Sequence, residues 1–103
     1  MIIVKVTYTV QADFVLKNQK NINEFLKDFK KIKSNDFRYI VYKGDDKKTF
    51  IHISMYQNEA IQKELLAVQS FKSFQEQRNN SGLEKSELIE VMELAGVSYD
   101  IFN

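Results

Sequence analysis

Phe37-Arg38-Tyr39-Ile40-Val41-Tyr42-Lys43, Gly44-Asp45-Asp46-Lys47 and Thr49-Phe50-Ile51-His52-Ile53-Ser54-Met55-Tyr56 read together as a β-hairpin. Two runs rich in aromatic and β-branched residues flank a short polar turn, the pattern of paired strands. Side chains two residues apart share a face of a strand. Phe50, His52, Ser54 and Tyr56 therefore lie on one side, and Ile51, Ile53 and Met55 on the other. Glycine and aspartate between residues 44 and 47 supply the unusual backbone angles of a tight turn at little cost. Arg38 and Tyr39 are adjacent, so they point to opposite faces and cannot enter one pocket without a bulge.

Working outward, residues 2–10 alternate as a first strand, with Ile2, Val4, Val6, Tyr8 and Val10 set against Ile3, Lys5, Thr7 and Thr9. Asp13 is placed to cap a helix that follows, because a carboxylate accepts from the free amides of a first turn. That helix carries Val15, Ile22, Phe25, Leu26, Phe29 and Ile32 as an apolar stripe, with Lys17, Lys20, Glu24, Lys27, Lys30 and Lys31 opposite. Ser34-Asn35-Asp36 ends it. Beyond the hairpin, Asn58 is a second cap candidate. Ile61, Leu65, Val68, Phe71 and Phe74 keep helical spacing, with a break expected near residues 66–70, and Asn79-Asn80-Ser81-Gly82 is a stop signal. A last strand is expected over about 86–94, with Leu88, Met92 and Leu94 on one face and Ile89 and Val91 on the other. Apolar residues on both faces predict cover on both, by the helices on one side and by a partner subunit on the other. The tail ends in Tyr99, Ile101 and Phe102, which predicts that it docks on its own subunit or the partner. Strand–helix–strand thus occurs twice, and predicts one small open sheet with both helices on one face.

Composition narrows the function. With 103 residues the chain is expected to form one domain, 1–103, and 44% hydrophobic residues suffice for its core. Fifteen basic residues nearly cancel fourteen acidic ones, which argues against nucleic acid as a partner. The basic run from Lys27 to Lys33 reads as a solvated helix face. There is no cysteine and a single histidine, so thiolate chemistry, iron–sulfur clusters and a multi-histidine metal site within one subunit are excluded. The three glycines, Gly44, Gly82 and Gly96, are scattered, whereas a phosphate loop needs them clustered. The N-terminus opens on a strand pattern without the charged and apolar regions of a signal peptide, and no apolar run reaches membrane-spanning length. A cytoplasmic protein with no membrane partner is expected.

Among the candidate functional residues, His52 is the only side chain that titrates near neutrality without perturbation. It reads either as a base or hydrogen-bond donor in a cavity, or as a sheet histidine bonded to a neighbour. Gln75 and Arg78 lie one helical turn apart and form either a polar cluster facing Tyr39 or His52, or a solvent-exposed pair. Eight Phe and five Tyr can line a pocket for a flat apolar ligand, although Phe25, Phe29, Phe71 and Phe74 are better placed as core.

The order of short motifs along the chain carries a resemblance. Thr9-Val10, Asp13-Phe14-Val15, Asn18, Ile22 and Phe25-Leu26 come first. Arg38-Tyr39, Thr49-Phe50-Ile51-His52, Phe71, Phe74-Gln75 and Arg78 follow, and Ser98-Tyr99 closes the series. Over nearly its whole length the chain resembles the dimeric α/β barrel superfamily, in its antibiotic biosynthesis monooxygenase-like branch. It is similar there to a subgroup with Arg-Tyr, Thr-Phe-Val-His and Phe-x-x-Phe-Gln at like places. The resemblance implies an α+β, ferredoxin-like βαββαβ sandwich, with an antiparallel four-stranded sheet and two helices on one face, that dimerises through its sheet. Haem-degrading members use an Asn on the first strand, a Trp after the third and a His on the second helix. Here the first strand has no Asn, and the other two positions hold Tyr56 and Gln75. Glutamine does not replace imidazole on iron, so haem degradation is rejected. The helix-start histidine of many oxygenase-like members has Glu64 in its neighbourhood.

What the resemblance implies for activity is a cofactor-independent monooxygenase or isomerase acting on a small aromatic or quinol-like molecule. The substrate would lose a proton to His52, and the anion would react with oxygen directly, needing neither cofactor nor metal. Tyr39 and Gln75 would position it, with Arg38, Tyr56 and Arg78 as further ligand-binding candidates. The alternative is a non-catalytic small-ligand-binding or interaction homodimer of the same fold, which the missing Trp and helix histidine favour.

Overall fold

The computed structural model describes residues 1–102. Along them run β1 (Ile2–Thr9), α1 (Val15–Lys31), β2 (Phe37–Lys43), β3 (Thr49–Tyr56), α2 (Glu59–Leu66), α3 (Gln69–Asn80) and β4 (Lys85–Met92). The strands form one four-stranded sheet in the order β2-β3-β1-β4, with every neighbouring pair antiparallel. This is the ferredoxin-like α+β arrangement expected from the sequence. Asn103, the last residue of the expected domain, lies outside the described residues.

Alternation in the strands builds the core. Tyr8 and Val10 from the β1 segment and Phe50 and Tyr56 from β3 meet Ile22, Phe25 and Phe29 of α1. Ile61 and Leu65 of α2 and Phe71 and Phe74 of α3 complete it. Phe25 stands at its centre, with ring centroids 4.8 Å from Phe74, 4.9 Å from Phe71, 5.2 Å from Phe29 and 5.5 Å from Tyr39. The lysine-rich side of α1 is exposed, as its spacing predicts. The second helical stretch is interrupted as expected: Val68 is extended, and its carbonyl accepts from the amides of Phe71 and Lys72 at 3.1 Å each, starting α3 afresh. Asn58 caps α2, its Oδ1 accepting from the Ile61 amide at 3.1 Å.

Several local expectations are corrected. Asp13 caps nothing: a 3-10 turn at Ala12–Phe14 precedes α1 and moves the helix start downstream to a Phe14 N-cap that makes no side-chain bond. In the hairpin, the left-handed residue is Lys47 (φ 65) and not Gly44. Asp46 holds that turn, its Oδ1 accepting from the amides of Lys48 (2.9 Å) and Thr49 (2.8 Å) and its Oδ2 from the Thr49 hydroxyl (2.6 Å). These bonds, the Thr49 hydroxyl foremost, stabilise the carboxylate and lower its pKa to about 2. β4 stops at Met92, short of Leu94, and is exposed along its whole length. The expected helix cover is absent there, because the core draws residues from the other three strands and none from β4.

The register places Ile89 and Val91 opposite Val6 and Val4 on the helix side, and Leu88 and Met92 opposite Thr7 and Ile3 on the open side. The tail turns back over that open side. A hollow of about 420 Å³ lies between Ile3, Ile53 and Met55 of the sheet and Leu94, Val97, Tyr99 and Ile101 of the tail. The Arg38 guanidinium stands 5.5 Å from the centre of the Phe102 ring. Ile101 and Phe102 are thus half-buried on their own subunit, while Val97 and Tyr99 stay exposed. Among the described residues, no helix is long and apolar enough to cross a membrane.

Candidate functional site

Three adjacent strands carry three polar rings onto the helix-facing side of the sheet. His52 on β3 is paired with Val6 of β1 on one side and Val41 of β2 on the other. Tyr8 lies two residues beyond Val6, and Tyr39 two residues before Val41. Both share the face of His52 and occupy its diagonals, a separation that long side chains bridge. The Tyr8 hydroxyl is 2.8 Å from Nε2 of His52, and the Tyr39 hydroxyl is 2.8 Å from Nδ1. Asn18, fully buried on α1, donates from Nδ2 to the Tyr8 hydroxyl at 2.9 Å. Its Oδ1 has no hydrogen-bond partner.

This chain of four side chains is buried among rings. His52 is 2% exposed, and stacks against Phe74 at 5.4 Å and Phe25 at 6.2 Å. Burial lowers its pKa to about 3, helped by the positive charge of Arg78. Burial likewise raises the pKa values of Tyr8, Tyr39 and Tyr56. At neutral pH the imidazole and the phenols are uncharged, and the group is a hydrogen-bonding array instead of an ion cluster.

Arg78 of α3 supports the array from behind. It is 5% exposed, with its guanidinium 5.0 Å from the centre of the Tyr8 ring and 5.3 Å from that of Phe74. Its charge is met by Glu87 of β4 at 2.6 Å, and Nε and Nη2 also donate to Asn79 Oδ1 at 3.2 and 3.1 Å. A buried guanidinium needs that counter-charge, which ties the otherwise loosely covered β4 to the site.

A cavity of about 190 Å³ adjoins the array. Tyr39, His52, Ser54 and Tyr56 form its sheet wall with Val4, Val6 and Ile89; Gln62, Leu66, Phe71 and Gln75 close it from the helices. An apolar void of about 150 Å³ is enough to hold benzene, so a single-ring ligand fits. A larger hollow of about 290 Å³ under Leu26, Phe29 and Phe37 shares Tyr39 with it but contains neither His52 nor Gln75. Among the described residues, no group of three or more His, Asp or Glu could hold a metal ion.

Of the residues singled out from the sequence, His52, Tyr39, Tyr56 and Gln75 line one cavity. Arg78 is buried one layer behind it, and the solvent-exposed alternative for that residue is overturned. Arg38 lies on the opposite face of the sheet, donating from Nη1 to the carbonyls of Phe37 (2.7 Å) and Asn35 (3.3 Å). Strand parity separates it from Tyr39, as expected. Sequence reasoning missed the partnership of Tyr8 and Asn18. Tyr8 shows the right parity in β1, but its meeting with His52 needs the β1–β3 register. Asn18 stands in the motif series, but nothing in the sequence marks it as the partner of Tyr8.

The backbone has solved counterparts. An antibiotic biosynthesis monooxygenase superposes with a TM-score of 0.75 at 12% identity, covering 93% of this chain and 100% of the other. The fold is that of the antibiotic biosynthesis monooxygenase-like proteins. Rv0793 from Mycobacterium tuberculosis gives 0.77 at 11% identity, over 95% and 98% of the two chains. PA3566 from Pseudomonas aeruginosa gives 0.71 at 15% identity, over 91% and 94%. No protein-family model matches the sequence, and no curated protein matches it either. At these identities the monooxygenase-like likeness is one of fold.

Proposed function

We propose that the protein is a cofactor-independent monooxygenase that takes a small aromatic, quinol-like molecule into the cavity beside Tyr39 and His52. The single observation that supports this most is the 190 Å³ cavity, apolar over much of its wall, with a buried tyrosine–histidine pair set into it. Both nitrogens of His52 are occupied by tyrosine hydroxyls, so the imidazole acts on a ligand through Tyr39 and not by contact. A neutral imidazole whose protonated form is so disfavoured also retains a proton poorly. The role left to the pair is to hold the ligand's oxygen as it ionises, with the proton passing to water.

The anion then reacts with dioxygen. One oxygen atom enters the ring and the other leaves as water. The quinol supplies the electrons and ends as a hydroxyquinone, so no external reductant is consumed. Gln75 and Tyr56 orient the ring from opposite walls. Arg78 acts at one remove, through Tyr8. A cytoplasmic location and a homodimer formed through the open sheet face belong to the same proposal.

Oxygen uptake with single-ring quinols tests it. Replacing Tyr39 by Phe keeps the ring and removes the hydroxyl, and turnover is expected to fall by roughly 10²-fold, the scale for losing one oriented donor. Unchanged turnover would remove the pair from the chemistry. Binding of quinols without any oxygen uptake would favour the second reading, a non-catalytic ligand-binding homodimer. The engagement of both His52 nitrogens within the protein is the observation on that side.

A further inference from the structure

We propose that Asn18 sets the direction of the Tyr8–His52–Tyr39 hydrogen-bond chain, and that this direction makes the cavity a receptor for the oxygen anion of a phenol or enol. The direction follows from where each proton can go. Asn18 is fully buried and reaches a single polar group, the Tyr8 hydroxyl. Turning its amide round would leave two N–H donors orphaned in the core, whereas the arrangement present leaves one N–H and the carbonyl oxygen unpaired. An under-satisfied carbonyl is the more tolerable of the two. Asn18 therefore donates, and the Tyr8 oxygen accepts.

The Tyr8 proton then has one acceptor within reach, Nε2 of His52. If Nε2 carried a hydrogen of its own, the Tyr8 proton would be buried with no partner. A neutral imidazole with an accepting Nε2 has its hydrogen on Nδ1. That hydrogen goes to the Tyr39 oxygen. Tyr39 has no second hydrogen-bond partner among the described residues and lines the cavity, so its own proton is left for a ligand. Four groups thus donate in one direction, from Asn18 to the ligand. Such a series polarises link by link and favours an acceptor that carries negative charge. The ligand class rests on the function proposed above; the direction of the chain does not.

The protein contains one histidine, so its ring nitrogens give unambiguous ¹⁵N resonances. At neutral pH, Nδ1 is expected at the protonated position and Nε2 at the unprotonated one, and the reverse pattern would overturn the proposal. Asn18→Asp provides the second arm. Once ionised, the carboxylate can only accept, so Tyr8 must donate to it and Nε2 must carry the hydrogen. An unprotonated Nε2 in this variant, at a pH where the new carboxyl is ionised as read from its ¹³C shift, would show that Asn18 does not set the direction. If the variant does not fold, the parent spectrum decides alone. The ligand half is read with p-nitrophenol, whose anion is visible by its absorbance. The parent should lower the pKa of the bound phenol by about one unit, a tenfold preference for the anion. An unshifted or raised value, or no binding at millimolar concentration, would overturn the ligand assignment. The nitrogen spectrum would still decide, by itself, whether Asn18 sets the direction.

Discussion

A histidine whose two nitrogens are both held by tyrosines, in a setting 2% exposed, has consequences for acid stability. Its folded pKa of about 3 lies below the ordinary 6.5, so between those values the unfolded chain binds a proton that the folded one refuses. Stability from this residue is fully present above about pH 6.5 and is lost progressively as the pH falls towards 3. Asp46 has a lowered pKa of about 2, and its contribution starts to fall only near its ordinary 3.8, which leaves the range from about pH 4 to 6.5 to His52. Urea melts across that range should show stability declining with acid in the parent. The decline should be absent in His52→Gln, measured against that variant's own value at pH 7. A parent curve flat from pH 7 to 4 would contradict the burial described. In the sequence His52 stands out because it is the only histidine, and its face follows from strand parity. Its depth in the core was not legible, since alternation gives the side of a strand but not what the helices place above it.

At the scale of elements, the apolar stripe of α1 is the best-read feature. Phe25 and Phe29 are 0% and 2% exposed, and Phe29 meets Phe37, Tyr39 and Phe71 at 6.2, 5.3 and 5.5 Å between ring centres. Phe29→Ala is expected to cost about 3–5 kcal/mol, the lost transfer energy plus that of the cavity left behind. A shift below about 1 kcal/mol in urea melts would mean that the stripe repacks around the gap. The strands and the interruption between α2 and α3 were legible too, because periodicities of 2 and 3.6 are strong signals. Caps and turns were less so. Asp13 and Asn58 look alike as cap candidates in sequence. A tight turn at Ala12–Phe14 intervenes in one case and not in the other. Lys47 adopts the left-handed conformation, although the turn's glycine stands three residues earlier, because Asp46 grips the two residues that follow it. Such choices depend on bonds that composition does not reveal.

For the whole molecule, apolar residues stand exposed on both faces of β4 among the described residues. Leu88 and Ile89 are each 58% exposed and Val91 is 79%, while Ile40 and Tyr42 are exposed on the far strand. Single exposed apolar residues need no explanation, but a sheet with this many does. The proposed homodimer buries the open-face members of this set. Light scattering at micromolar concentration should give about twice the 12.1 kDa chain mass, and Leu88→Lys should shift it towards the monomer. A parent monomer at that concentration would end the dimer proposal. The uncovered side of β4 was legible in its sequence, but the wrong expectation of helix cover came from reading two apolar faces as two covered ones. The sheet order also bears on how fast the chain finds its shape. β1 lies between β3 and β4, and its partners are both distant in sequence: Val6 meets His52 on one side and Ile89 on the other. Only the β2–β3 hairpin and the helices can form from near neighbours. The entropy of closing a long loop must be overcome before β1 gains either partner, which places folding slower than that of a helical bundle of this length.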